Sequence, residues 1–259
     1  DRVWYRGRMC LIIHFLGEGK MKKNIAVLMA ALLVVATGYA GSISMNFTEN
    51  PTNQIFVGGQ NIGPLNTDSA TWNHNSTLAE GSEYKAGTQS NLIDGTGAVT
   101  PVSVTWLCSN TWWNADGTGD DQAKLAVGYL DDGSTSTGVG LVVTFENIPY
   151  AQYRVYGLTA SDQDQYNAPY TYLSRNFSVN GEWVYDGGEA TTALAYGCIW
   201  DNNDNNGQYW TPLIPGSNTA GNYWTIVTSG STLTISGLAR NGSERGSLSA
   251  VIIEEIPEP

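Results

Sequence analysis

VGLVVTFENIPYAQYRVYGLTASDQDQYNAPYTYLSRNFSVNGEW runs from Val139 to Trp183, and the class of this chain follows from it. Residues 141–145 are nearly continuous in apolar side chains, as in a strand buried on both faces. Asn147-Ile148-Pro149-Tyr150 reads as a turn. Residues 153–158 then supply the aromatic and β-branched side chains that suit a pleated surface. After a polar loop, residues 176–181 alternate apolar and polar into Asn180-Gly181, a strong hairpin signal. The expectation is three successive antiparallel strands at the centre of an all-β domain.

On either side the pattern is the same. Residues 42–47 form a first short strand, and residues 55–57 an edge strand. Residues 102–107 (VSVTWL) alternate cleanly and read as a strand. Trp72, Leu92 and Ile93 reach back into the core from a long turn-rich region. Residues 110–122 read as a loop and residues 124–130 as a strand. Residues 186–222 form a second long irregular stretch. Residues 223–227, 232–236 and 248–254 close the sheet. No stretch from residue 41 onward sustains a helical period. Many short strands punctuated by turns predict an antiparallel β-sandwich, a jelly roll with long irregular loops.

The two ends carry their own signals. Met21-Lys22-Lys23-Asn24, the apolar run 25–36 and Gly38-Tyr39-Ala40 make a basic start, a short apolar region and a small-x-small cleavage site. That is a secretory signal peptide over residues 21–40, helical while it is attached. Its apolar run is about a dozen residues, short of the roughly 20 that span a bilayer. Residues 1–20 then read as an upstream segment foreign to the exported protein. A single domain is expected over 41–255, followed by a tail at 256–259. That tail, Ile256-Pro257-Glu258-Pro259, resembles the start of a bacterial PEP-CTERM sorting signal. The resemblance implies handling at the cell envelope, with membrane contact only through a sorting helix that this sequence does not contain.

The formal net charge is -12 at pH 7. From residue 41 onward the cations are Lys85, Lys124, Arg154, Arg175, Arg240 and Arg245 alone. So sparse a basic footprint argues against nucleic acid and against anionic lipid. It suits an exported protein kept dispersed by self-repulsion. Cys108 and Cys198 permit one disulfide in an oxidising compartment, and their spacing leaves the pairing open. Four Asn-x-Ser/Thr triplets, at Asn46, Asn75, Asn176 and Asn241, are chance matches in a chain whose export signals look bacterial.

The run 143–156, with its Pro149-Tyr150-Ala151-Gln152-Tyr153-Arg154-Val155 strand entry, and Phe177-Ser178-Val179-Asn180-Gly181 resemble the malectin-like and galactose-binding-like β-sandwich domains. Residues 231–236 and 248–254 resemble the last two strands of those domains. The likeness covers about half of the chain. It implies a jelly roll of the kind often used to bind carbohydrate, and it carries over no sugar-contacting residue.

Three chemistries remain to be placed. Sugar rings offer C–H faces to aromatic rings and hydroxyls to Asn and Asp. Trp112, Trp113 and Asp116, with Tyr209 and Trp210, have that composition and are the expected glycan-binding residues, polysaccharide or exopolysaccharide being the partner. Asn202-x-Asp204-x-Asn206-Gly207 matches the first half of an EF-hand loop but has Leu213 where the last ligand would be Glu. Asn202, Asp204 and Asn206 are therefore at most a structural Ca²⁺ site; otherwise no cofactor is expected. Catalysis has less to work with. His74 is the one histidine after residue 40, and no Gly-x-Ser-x-Gly elbow is present. A polysaccharide hydrolase or lyase would draw a carboxylate pair from Asp131, Asp132, Glu146, Asp162, Glu182, Asp186 and Glu189, and an esterase would need His74. A structural surface or matrix protein is the third expectation.

Overall fold

Alternation of buried and open side chains defines the strands. The computed structural model describes residues 41–48, 55–75, 85–113, 121–131, 140–159, 173–174, 176–186, 210–213, 222–237, 244–245 and 247–258. The expected signal helix, residues 1–20, Asp116, Asn202, Asp204, Asn206 and Tyr209 all lie outside that set. The early strands are β1 (Ser42–Asn46), β2 (Asn61–Ile62), β3 (Thr67–Asp68), β4 (Asn73–His74), β5 (Ala86–Gln89), β6 (Ser103–Cys108) and β7 (Asn110–Trp113). A short helix, α1 (Asp121–Val127), precedes β8 (Gly128–Asp131), β9 (Leu141–Glu146), β10 (Gln152–Thr159), β11 (Leu173–Ser174) and β12 (Asn176–Val179). The rest are β13 (Glu182–Asp186), β14 (Tyr223–Ser229), β15 (Thr232–Gly237), β16 (Glu244–Arg245) and β17 (Leu248–Glu255).

The described residues are all-β apart from α1 and one turn of 3₁₀ helix at Ser69–Thr71. Two sheets dominate. One is seven-stranded, ordered β14-β10-β17-β1-β4, with β8 also on β17 and β7 on β8. The other is six-stranded, ordered β13-β12-β15-β9-β6-β5. The first strand pairs with the last, from Ser42 opposite Glu254 to Asn46 opposite Ala250.

One apolar cluster draws on both sheets. Ile43, Met45, Tyr153, Val155, Val251 and Ile253 come from the seven-stranded sheet. Val104, Trp106, Val143, Phe145, Phe177 and Ile235 come from the six-stranded one. Two glycines are demanded by it. A Cβ on Gly157 would lie 2.1 Å from the Trp224 ring, and one on Gly87 would lie 2.4 Å from Trp106. A second cluster covers the opposite face of the seven-stranded sheet. There Phe56, Ile62, Trp72 and Leu125 pack on Tyr156, Leu158, Ala250 and Ile252.

Strands form at 42–47, 102–107, 223–227, 232–236 and 248–254 as expected, the first and last of them buried on both faces. Asn180 (φ 52°) and Gly181 (φ 86°) make the hairpin turn between β12 and β13 with the positive φ angles that such a turn needs. Four expectations are corrected. First, β9 and β10 are consecutive but lie in different sheets: β9 pairs with β15 and β6, and β10 with β14 and β17. Asn147 is left-handed (φ 61°), and the Ile148 N–H donates to Ser231 O at 3.0 Å rather than closing a hairpin. Second, β9 is buried on one face only. Leu141, Val143 and Phe145 are inside while Val142 and Thr144 are partly open. A β-branched residue suits either face of a pleat, so an apolar run overstates burial.

Third, residues 55–57 are not a strand. Phe56 alone is buried, with Ile55 46 % and Val57 82 % exposed, and the Val57 N–H is taken by a carboxylate. Fourth, residues 110–113 are strand, not loop, and the strand expected over 124–130 begins only at Gly128, residues 121–127 being helix. Asp-Gln-Ala-Lys-Leu-Ala contains strong helix formers with an acid in the first turn. Seven residues are fewer than two turns, too few for periodicity to show. Cys108, finally, is a free buried thiol. Burial pushes its pKa up to about 12, and its Sγ lies 3.4 Å from Lys85 O. Cys198, its possible disulfide partner, lies outside the described residues.

Candidate functional site

The densest polar constellation among the described residues surrounds Asp121. Its carboxylate is fully buried. It accepts from the Val57 N–H (2.8 Å), the Gly58 N–H (2.9 Å), the Ser69 hydroxyl (2.8 Å) and the Lys124 ammonium (3.2 Å). Lys124 sits one turn along α1 and also donates to Ile55 O at 3.0 Å. Burial works to raise the Asp121 pKa. The hydrogen bonds from Val57, Ser69, Gly58 and Lys124 outweigh it, so the carboxyl is held below its ordinary value.

His74 stands nearby on β4. Its Nδ1 lies 3.3 Å from the Asn46 amide nitrogen, and its ring meets Phe56 edge-on at 4.4 Å. Burial lowers its pKa to about 4, Asp121 acting against that and Lys124 with it. The imidazole is neutral at pH 7. Ser69, His74 and Asp121 have the composition of a hydrolase triad but not its wiring. The serine hydroxyl donates to the acid, so the histidine does not activate it. All three side chains are buried. Charge-assisted bonds to a buried acceptor contribute about 1.5–3 kcal/mol each. What they do here is pin the 55–75 segment and α1 to each other over the second apolar cluster.

The other constellation is open to solvent. In the six-stranded sheet the outward residues of successive strands line up in register. One rank runs Thr88, Thr105, Thr144, Thr234 across β5, β6, β9 and β15. The Thr88 and Thr105 hydroxyls are 3.2 Å apart and those of Thr144 and Thr234 are 3.4 Å apart. The neighbouring rank runs Leu107, Val142, Ser236, Ser178, Trp183 from β6 to β13. Trp183 is 49 % exposed and Leu107 47 %. A third rank holds Ser103, Glu146 and Thr232. Glu146 is the one charged side chain among the described residues of these three ranks.

The residues expected to bind glycan are distributed differently. Trp112 and Trp113 are adjacent on β7, paired with Tyr129 and Gly128 in the seven-stranded sheet. Trp210 is half-buried and packs against the second apolar cluster with its indole nitrogen enclosed. It is a packing residue more than a platform. Among the carboxylates considered for catalysis, Asp131 is buried on β8 whereas Glu146 and Glu182 are exposed on different strands. Asp186 closes β13, and Asp132, Asp162 and Glu189 lie outside the described residues. No three His, Cys, Asp or Glu side chains among the described residues come together as a metal site.

Reading the sequence missed Trp183 and the threonine rank. The signal was present: Thr105, Thr144 and Thr234 each sit at the polar position of an alternating strand. Their alignment depends on register between strands, which alternation does not encode. Comparison with known proteins gives no further name to the arrangement: no family model, no curated protein and no solved structure matches the chain.

Proposed function

We propose that the chain is an exported carbohydrate-binding module, its two sheets forming the layers of a jelly-roll sandwich. The supporting observation is the outward face of the six-stranded sheet, where three hydroxyl-rich ranks carry Glu146 as their one described charge and one of them ends on the exposed Trp183. Polyhydroxylated ligands are held by stacking on aromatic rings and by hydrogen bonds to a few placed polar groups, without any need for charge. The signal-like start and the Pro257-Glu258-Pro259 tail add export and attachment at the cell envelope to this reading. The closed wiring of Ser69, His74 and Asp121 disfavours an esterase centred on His74.

The experiment is retention of the purified protein on a panel of insoluble polysaccharides, with and without EDTA, alongside reducing-sugar and ester-release assays. Retention without product release is the expected result. Sugar release abolished by a single carboxylate change would replace the binding module with a hydrolase. Loss of retention in EDTA would bring in the calcium ligands Asn202, Asp204 and Asn206.

A further inference from the structure

We infer that the threonine rank and the rank beside it form a track for an uncharged polysaccharide chain lying across the strands, a refinement that rests on the carbohydrate-binding reading. Four observations carry it. The hydroxyls of Thr88, Thr105, Thr144 and Thr234 fall one per strand in direct register, repeating at the interstrand spacing of about 4.8 Å. Threonine is stiff about χ1, so these hydroxyls are already positioned and binding orders little. Each hydroxyl has one proton and two lone pairs, so the bonds between neighbours leave donors and acceptors for a ligand.

Second, the adjacent rank begins at Leu107 and ends at Trp183, four strand spacings or about 19 Å away. A chain of several sugar units reaches from one to the other, with the Trp183 ring under one end. Third, charge selects the occupant. Glu146 is the one charged side chain among the described residues of the three ranks, the further acids Glu182 and Asp186 stand on β13, and the whole chain is at -12. An anionic polymer finds repulsion and no described cation within the three ranks to meet it. Fourth, the large exposed apolar side chains, Leu107 and Trp183, are separated by Val142, Ser236 and Ser178. They make no contiguous apolar centre of the kind that anchors a protein partner or a lipid surface.

The test uses the full chain and two variants, Trp183→Ala and the double change Thr144→Val with Thr234→Val. Valine keeps the β-branch, so strand and fold are retained, and a thermal melt verifies this. The probes are cellulose, chitin and xylan as uncharged polymers and alginate as the anionic one. The expected result is retention on at least one uncharged polymer, weak retention on alginate, and about a tenfold loss of affinity in each variant. Wild-type retention with both variants binding equally well would overturn the track and leave the carbohydrate-binding reading standing. Preference for alginate would overturn the choice of ligand. No retention on any of the four would overturn the carbohydrate-binding reading as well.

Discussion

The two sheets turn very different surfaces away from their shared core. The seven-stranded sheet presents Tyr156, Leu158, Ala250 and Ile252, and the 55–75 segment with α1 closes over them. The six-stranded sheet presents Thr105, Thr144, Thr234 and Ser236, which remain exposed or partly so. Both sheets obey the same inward rule. What separates them is the outward residue of each strand. Where it is apolar the chain must supply a cover, because burial contributes about 25 cal/mol per Å². Where it is a hydroxyl, water or a polar ligand satisfies it and no cover is required. A lid of irregular backbone over the first surface then needs a strong polar fastening, which is what Asp121 provides.

That contrast can be attacked at three points. Asp121→Ala should have the largest effect. It removes the acceptor of four donors and leaves the Lys124 ammonium buried without its partner. A loss of about 3–5 kcal/mol in urea-unfolding free energy is expected. A loss below about 1 kcal/mol would mean that the cover does not depend on the fastening.

Acid is the second lever. The unfolded chain's imidazole takes its proton near pH 6.5, while folded His74 stays neutral down to about pH 4. The unfolded state therefore binds more protons in that window, and stability falls as pH drops through it. The loss amounts to roughly 3 kcal/mol between about pH 6.5 and pH 4. Above 6.5 this group adds no slope. Asp121, whose folded pKa is depressed, adds a further loss at still lower pH. Unfolding free energies at pH 7, 5.5 and 4 should show the decline, and His74→Gln should flatten it. An unchanged slope in the variant would assign the acid sensitivity elsewhere.

The third point sets the faces against each other by paired substitutions. Ile252→Thr puts a hydroxyl under the cover, at a fully buried position, and should cost about 2 kcal/mol. Thr144→Val on the open face should change stability by less than about 0.5 kcal/mol. Similar thermal shifts for the two would show that the faces are not energetically distinct.

How far the sequence could be read is clearest at particular residues. Val104, Trp106, Leu233 and Ile235 announce their inward face by alternation, and Asn180-Gly181 announces its turn by the positive φ it must adopt. Helix α1 was hidden because seven residues do not display a period. The fastening was hidden too. Asp121 receives its bonds from Val57, Gly58 and Ser69, more than fifty residues away, and no local rule links them. Trp112 and Trp113 stand as a pair in a polar stretch of sequence, whereas nothing in the residues around Trp183 marks it as exposed.

The amino-acid sequence settled that this is a strand protein, where most of its strands lie and which residues of each turn inward. Those properties are local: they arise from side-chain period, β-branching and turn geometry within about ten residues. The fold settled which strands share a sheet, that β1 closes against β17, and that one outward face is covered while the other is left open. These depend on contacts between residues far apart in the chain. A strand's alternation gives it two faces but does not say what will lie against either.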